Sequence, residues 1–181
     1  MEAAATTELP GARHGATAGI DGGEPTASRI LLRMLYDTNP AVRLQAAEAL
    51  WRLGNEQGLN ELVGASISKF PDDQMIALLG LAGPKDRRAL GHVEGQLTNA
   101  YPEVTLVAAR AAGMLGSDAG YGVALKGIKS NETRQRMLAA WAFGAIGRTD
   151  AQEYLAPLLK DPDPDVRLSA ATALLELKPN G

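Results

Sequence analysis

A chain of 181 residues that is 45% hydrophobic and 22% charged is long enough to bury one core of ordinary size and polar enough to be soluble. Its net charge of −3 comes with Lys and Arg scattered along the chain, without the basic run that nucleic acid or an acidic membrane surface requires. The absence of cysteine removes disulfides, thiolate metal sites and cysteine nucleophiles together, and no apolar stretch approaches the roughly 18 residues of a membrane span.

Residues 1–24 are rich in Gly, Ala and Thr without periodicity, which predicts a flexible N-terminal tail ahead of one domain over 25–181, with the remnant of a preceding unit as the alternative. They lack the charged-then-apolar pattern of a signal peptide, so a cytoplasmic protein is expected. A cysteine-free chain suits the periplasm equally well, and a leader removed earlier would make it periplasmic or secreted. Aromatic residues are only 4% of the chain while Ala pairs and Leu recur, which favours closely packed helices over strands.

From residue 27 onward the chain repeats every 31 residues. The first unit predicts a helix near 27–36 and a second near 40–53. Pro40 suits a first helical position, and Val42, Ala46, Ala49, Leu50 and Leu53 fall on one face before Gly54 stops the helix. The second unit predicts helices near 58–67 and 71–82, ending at Gly83-Pro84. Helices near 88–98 and 102–115, then 119–129 and 133–146, and finally 150–160 and 164–177 complete five hairpins. Pro40, Pro71, Pro102, Thr133 and Pro164 share one column, and Ala46, Ala77, Ala108, Ala139 and Ala170 form an unbroken alanine column. Leu31, Leu62, Val93, Ala124 and Leu155 line up on the first helices. A hairpin of this length cannot bury its own apolar face, so stacked neighbours must supply the core.

Asp161-Pro162-Asp163-Pro164-Asp165-Val166-Arg167, followed by Ala170-Ala171 and Ala173-Leu174, resembles the short HEAT repeats first associated with phycobilin lyases. Asn39-Pro40-Ala41-Val42-Arg43 with Ala46-Ala47, Ala49-Leu50 and Leu53-Gly54 is similar. The resemblance covers residues from about 25 to the end and implies an all-α, right-handed α-solenoid whose second helices line a concave face. It also implies a polar ladder between repeats, built from an Asp before the second helix and the Arg after Val. Asp161 or Asp163 with Arg167, and Asp37 with Arg43, match that ladder. The Arg column reads Arg43, Gln74, Thr105, Arg136 and Arg167, so the central units depart from it.

Little in the chain predicts chemistry. Two histidines, His14 and His92, cannot build a His cluster, and the paired His-Glu motifs of deoxyhypusine hydroxylase, which shares this repeat type, do not occur. Asp72-Asp73 and the Asp161, Asp163, Asp165 group lie at helix starts, where negative charge caps amides and favours the helix dipole. No metal, cofactor or catalytic residue is expected.

The second helices carry the distinctive signal. With Ala46 and Leu53 inward, the 100° step per residue turns positions 41, 44, 45, 48 and 52 outward. The columns there read Leu44, Met75, Leu106, Met137, Leu168; then Gln45, Ile76, Val107, Leu138, Ser169; then Glu48, Leu79, Arg110, Trp141, Thr172. Leu and Met in the first of these columns also suit lateral packing between units. An apolar strip around a Trp with a charged rim suits recognition of a peptide or helix. The expected reading is a non-catalytic scaffold that binds a protein or peptide through Leu106, Val107, Arg110, Met137, Leu138 and Trp141. An accessory subunit of a bilin-lyase-like or chaperone-type assembly is the alternative, and a HEAT-like DNA glycosylase is disfavoured by the acidic balance.

Overall fold

A computed structural model of the chain describes residues 24–177, and every regular element among them is helical. The helices are α1 Glu24–Met34, α2 Pro40–Arg52, α3 Glu56–Ser66, α4 Pro71–Ala82 and α5 Leu90–Glu94, the last flanked by 3-10 turns at Arg87–Ala89 and Gly95–Thr98. They continue with α6 Pro102–Met114, α7 Tyr121–Gly127, α8 Thr133–Ile146, α9 Gln152–Leu158 after a 3-10 turn at Thr149–Ala151, and α10 Pro164–Glu176. The expected tail lies outside the described residues except for Glu24, which already belongs to α1. No helix among the described residues is long and apolar enough to cross a membrane.

The even-numbered helices pack side by side in chain order, α2 on α4, α4 on α6, α6 on α8 and α8 on α10, and α3 and α7 each touch the even helices on both sides. This is the α-solenoid architecture. The alanine column lies at its centre: Ala77, Ala108, Ala139 and Ala170 are fully buried and Ala46 almost so. Leu62, Val93, Ala124 and Leu155 on the odd helices are fully buried beside them. Helices cross so tightly at Gly120 that a Cβ there would stand 2.5 Å from Ala109 of α6, closer than any side chain permits. Leu53, expected in the core, is half exposed because α2 has ended at Arg52 and the chain turns away.

Each hairpin is fastened by the same turn. The side chains of Asp37, Ser68, Asn99, Ser130 and Asp161 accept from the backbone N–H two residues on, at Asn39, Phe70, Tyr101, Glu132 and Asp163, over 2.8–3.2 Å. All five residue types make Asx- or Ser/Thr-turns, which fix the chain just before a proline or threonine opens the next helix. Six residues further along, the Arg column closes the same loop from the other side. Arg43 donates to the carbonyls of Asp37 and Thr38, Arg136 to those of Ser130 and Asn131, and Arg167 to those of Asp161 and Pro162. Gln74 does the same for Ser68.

The polar ladder between repeats exists, with different partners from those expected. Arg167 takes the backbone carbonyl of Asp161, while the Asp161 carboxylate reaches back to the preceding unit and pairs in bidentate fashion with Arg136, at 2.8 and 2.9 Å. A neutral rung stands two units earlier, where Asn99 donates to Gln74 Oε1 at 3.0 Å. A rung therefore joins the Arg column of one unit to the turn residue of the next.

Helix ends explain one residue that periodicity does not flag. Gly54, Gly116 and Gly147 take left-handed angles after α2, α6 and α8, and after α2 and α6 the N–H of Asn55 and Ser117 returns to the carbonyls of Leu50 and Ala112. After α4 the column places Lys85, at φ 59°, behind Gly83-Pro84, and the corresponding carbonyl of Leu81 receives no such bond. The indole N–H of buried Trp51, from the unit before, donates to it instead at 3.1 Å, and Arg88 lies over the indole ring at 4.8 Å.

Trp51→Phe should therefore destabilise the protein by about 1–3 kcal/mol, because it strands a buried carbonyl; an unchanged denaturant midpoint would refute this role. The Arg136 guanidinium holds the Asp161 carboxyl below its ordinary value of 3.8. A lowered folded value means that the stabilisation is complete above the ordinary carboxylate range and is lost as pH falls through the folded value. Asp161→Asn should cost about 2 kcal/mol at neutral pH, with the deficit shrinking below about pH 4. A deficit that stays constant down to pH 2 would show that the charge is not involved.

Candidate functional site

The six residues expected to form a contact strip do not share one environment. Leu106, Val107 and Leu138 are buried, at 2%, 4% and 7% exposure, so they are core in this chain and not an open surface. The cause is packing between units. Leu106 points toward the odd helix of the following unit, where a Cβ on Gly127 would meet its Cδ2 at 2.6 Å, and neighbouring even helices close over Val107 and Leu138. Arg110, Met137 and Trp141 remain half-buried. Trp141 packs against the core with one edge, and the Arg110 guanidinium lies 5.1 Å from its ring centre, a cation–π pair across adjacent helices. The sequence places these two side by side, and the structure stacks one on the other.

The open part of the even-helix face lies toward the other end. A shallow groove of about 460 Å³ crosses α2, α4 and α6, lined by Ala41, Gln45, Glu48, Arg52, Ile76, Leu79, Arg110 and Met114, with Gly80 and Gly83 in its floor. Ile76 is 45% exposed at its middle, and Leu79 and Met114 are half-buried beside it. Glu48 and Arg52 pair at 2.6 Å along the α2 wall. On the α6 wall Arg110 makes its contact with Trp141 and no ion pair to a carboxylate among the described residues. The groove thus offers an apolar floor between a neutralised charge pair and an unneutralised guanidinium. Ile76 and Leu79 stand in the outward columns of the sequence, Leu79 two units before Trp141 in the same column.

A second recess, about 310 Å³, opens between α6 and α7 on the side of the inter-helix loops, lined by Leu97, Asn99, Thr105, Leu106, Val123, Lys126 and Gln135. Gln135 spans its edge, accepting from Ser130 at 2.8 Å and donating to Glu103 at 3.2 Å. Among the described residues no three His, Asp or Glu side chains gather as a metal site. The strongest perturbed titration is Tyr121, pushed up to about 12 first by burial and then by the neighbouring Asp150 carboxylate. Arg148 covers its ring at 4.1 Å and Phe143 meets it edge-on at 5.2 Å, so the cluster caps the core.

Family models match two stretches of the chain: HEAT repeats over residues 122–180 and a HEAT repeat over residues 29–56. No curated protein matches the sequence. Among solved structures, the complex of CpcE and CpcF of phycocyanin lyase from Nostoc is similar at TM-score 0.60 and 19% identity, over 96% of this chain and 70% of that one. An engineered protein is similar at TM-score 0.54 and 26% identity, over 86% of this chain and 81% of that one. The likeness to the lyase complex is one of fold.

Proposed function

We propose that this chain, a HEAT-repeat α-solenoid, is a non-catalytic scaffold that binds an extended or helical protein segment in the groove across α2, α4 and α6. The observation that carries this reading is Ile76, a large apolar side chain held open at the centre of the groove with Arg110 unneutralised on one wall. A stable fold gains nothing by exposing isoleucine between two polar walls, whereas a partner's apolar side chain recovers that area on docking. A carboxylate on the same partner completes Arg110, and it meets the guanidinium with Trp141 already supporting the other face. The preferred partner is therefore a segment with one or two large apolar residues next to Asp or Glu. Of the six residues expected from the sequence, Arg110 lines this groove and the other five do not.

Selection of random peptides displayed on phage, followed by anisotropy titration of the winners, tests the reading. Enriched peptides should combine an apolar anchor with an acidic neighbour, and Ile76→Asp and Arg110→Glu should each weaken them at least tenfold with little change in thermal midpoint. Winners that bind both variants as well as the wild type would overturn it. Preferential binding of a free linear tetrapyrrole over every peptide would favour the bilin-lyase type of role instead.

A further inference from the structure

We infer that the last hairpin docks onto the first hairpin of a second copy of this chain, continuing the solenoid head to tail. Inside the molecule the junctions between units draw on three columns. The Leu44 column of one unit meets the odd helix of the next: Leu44 lines a recess with Ala65, and Leu106 packs on Gly127. The Trp51 column meets the end of the next even helix, as Trp51 does at Leu81 and as Gly113 does at Ala145 and Ile146. The Arg43 column reaches the turn residue of the next unit, as Gln74 does at Asn99 and Arg136 at Asp161.

On the last hairpin these columns are Leu168, Leu175 and Arg167, and among the described residues nothing follows to receive them. Leu168 is 67% and Leu175 88% exposed. Arg167 uses only Nη1, on the carbonyls of Asp161 and Pro162, which leaves Nε and Nη2, the pair of donors that Arg136 places on Asp161, without a partner. The receiving columns on the first hairpin are equally open. Counting back by 31 from Gly127, Ile146 and Asp161 gives Met34, Leu53 and Asp37. Met34 and Leu53 are 37% and 49% exposed, and the Asp37 carboxylate accepts only from the Asn39 amide. The two ends thus match as Leu168 to Met34, Leu175 to Leu53 and Arg167 to Asp37, with apolar facing apolar and guanidinium facing carboxylate. Leu175 is larger than Gly113 or Gly144 in its column, so the second copy must sit further off than α8 does from α6, as at the first junction, where Trp51 stands in that column. The contact is heterologous, so it propagates instead of closing on a pair.

Sedimentation velocity over a dilution series should show a mass that rises above the 19.0 kDa chain with concentration and reaches no fixed limit. Leu168→Glu blocks only the tail face and Met34→Glu only the head face, and circular dichroism checks that both fold. Each variant alone should sediment as a monomer, whereas an equimolar mixture should form a two-chain species and nothing larger. A wild type that stays monomeric at every concentration would overturn the inference. So would association that survives Leu168→Glu, or a mixture that fails to recombine.

Discussion

Everything in this fold depends on how closely neighbouring even-numbered helices approach. The buried alanine column, with Gly80, Ala111, Ala142 and Ala173 one turn on, removes side-chain bulk where the helices meet. That closeness lets Arg136 of one unit reach Asp161 of the next and lets the Trp51 indole reach a backbone carbonyl at the end of α4. It also shapes the surface: where the helices close, apolar columns become core, and where they open, the same columns line a groove.

Most of the architecture is legible from the 31-residue columns. Proline and alanine recur at fixed steps because each unit solves the same two problems, starting a helix after a tight turn and letting another helix pass close by. The observed even helices agree with the expected ones to within a residue or two at each end. The turn residues were legible too, since Asp37, Ser68, Asn99, Ser130 and Asp161 all belong to the small set of side chains that cap a turn, yet variation in type concealed the column. The direction of the ladder was not, because sequence spacing favours an Arg pairing with its own loop while the bidentate partner lies 25 residues away.

The candidate site was legible only in part. Helical phase treats Gln45, Ile76, Val107, Leu138 and Ser169 as equivalent, but Gln45 and Ile76 are exposed and the other three buried. Phase fixes the direction of a side chain relative to its own helix, and exposure depends on what the neighbouring helix places opposite it. Periodicity does not mark Trp51 for a related reason: its role arises from a defect in another unit, where Gly83-Pro84-Lys85 interrupts the usual helix end. The even-helix face and the two ends of the solenoid are thus separate surfaces, the first shaped by variation among units and the second by their sameness.

Stability is then a sum over adjacent hairpins, joined by these close contacts along one continuous core. Native-state hydrogen exchange across the intact chain tests it most directly, because it assigns an opening free energy to each helix. The account predicts that amides of α6 and α8, flanked by helices on both sides, open only at the highest free energies. Those of α2 and α10 should open at progressively lower ones. A single free energy shared by all five even helices would contradict it and show one indivisible globular unit.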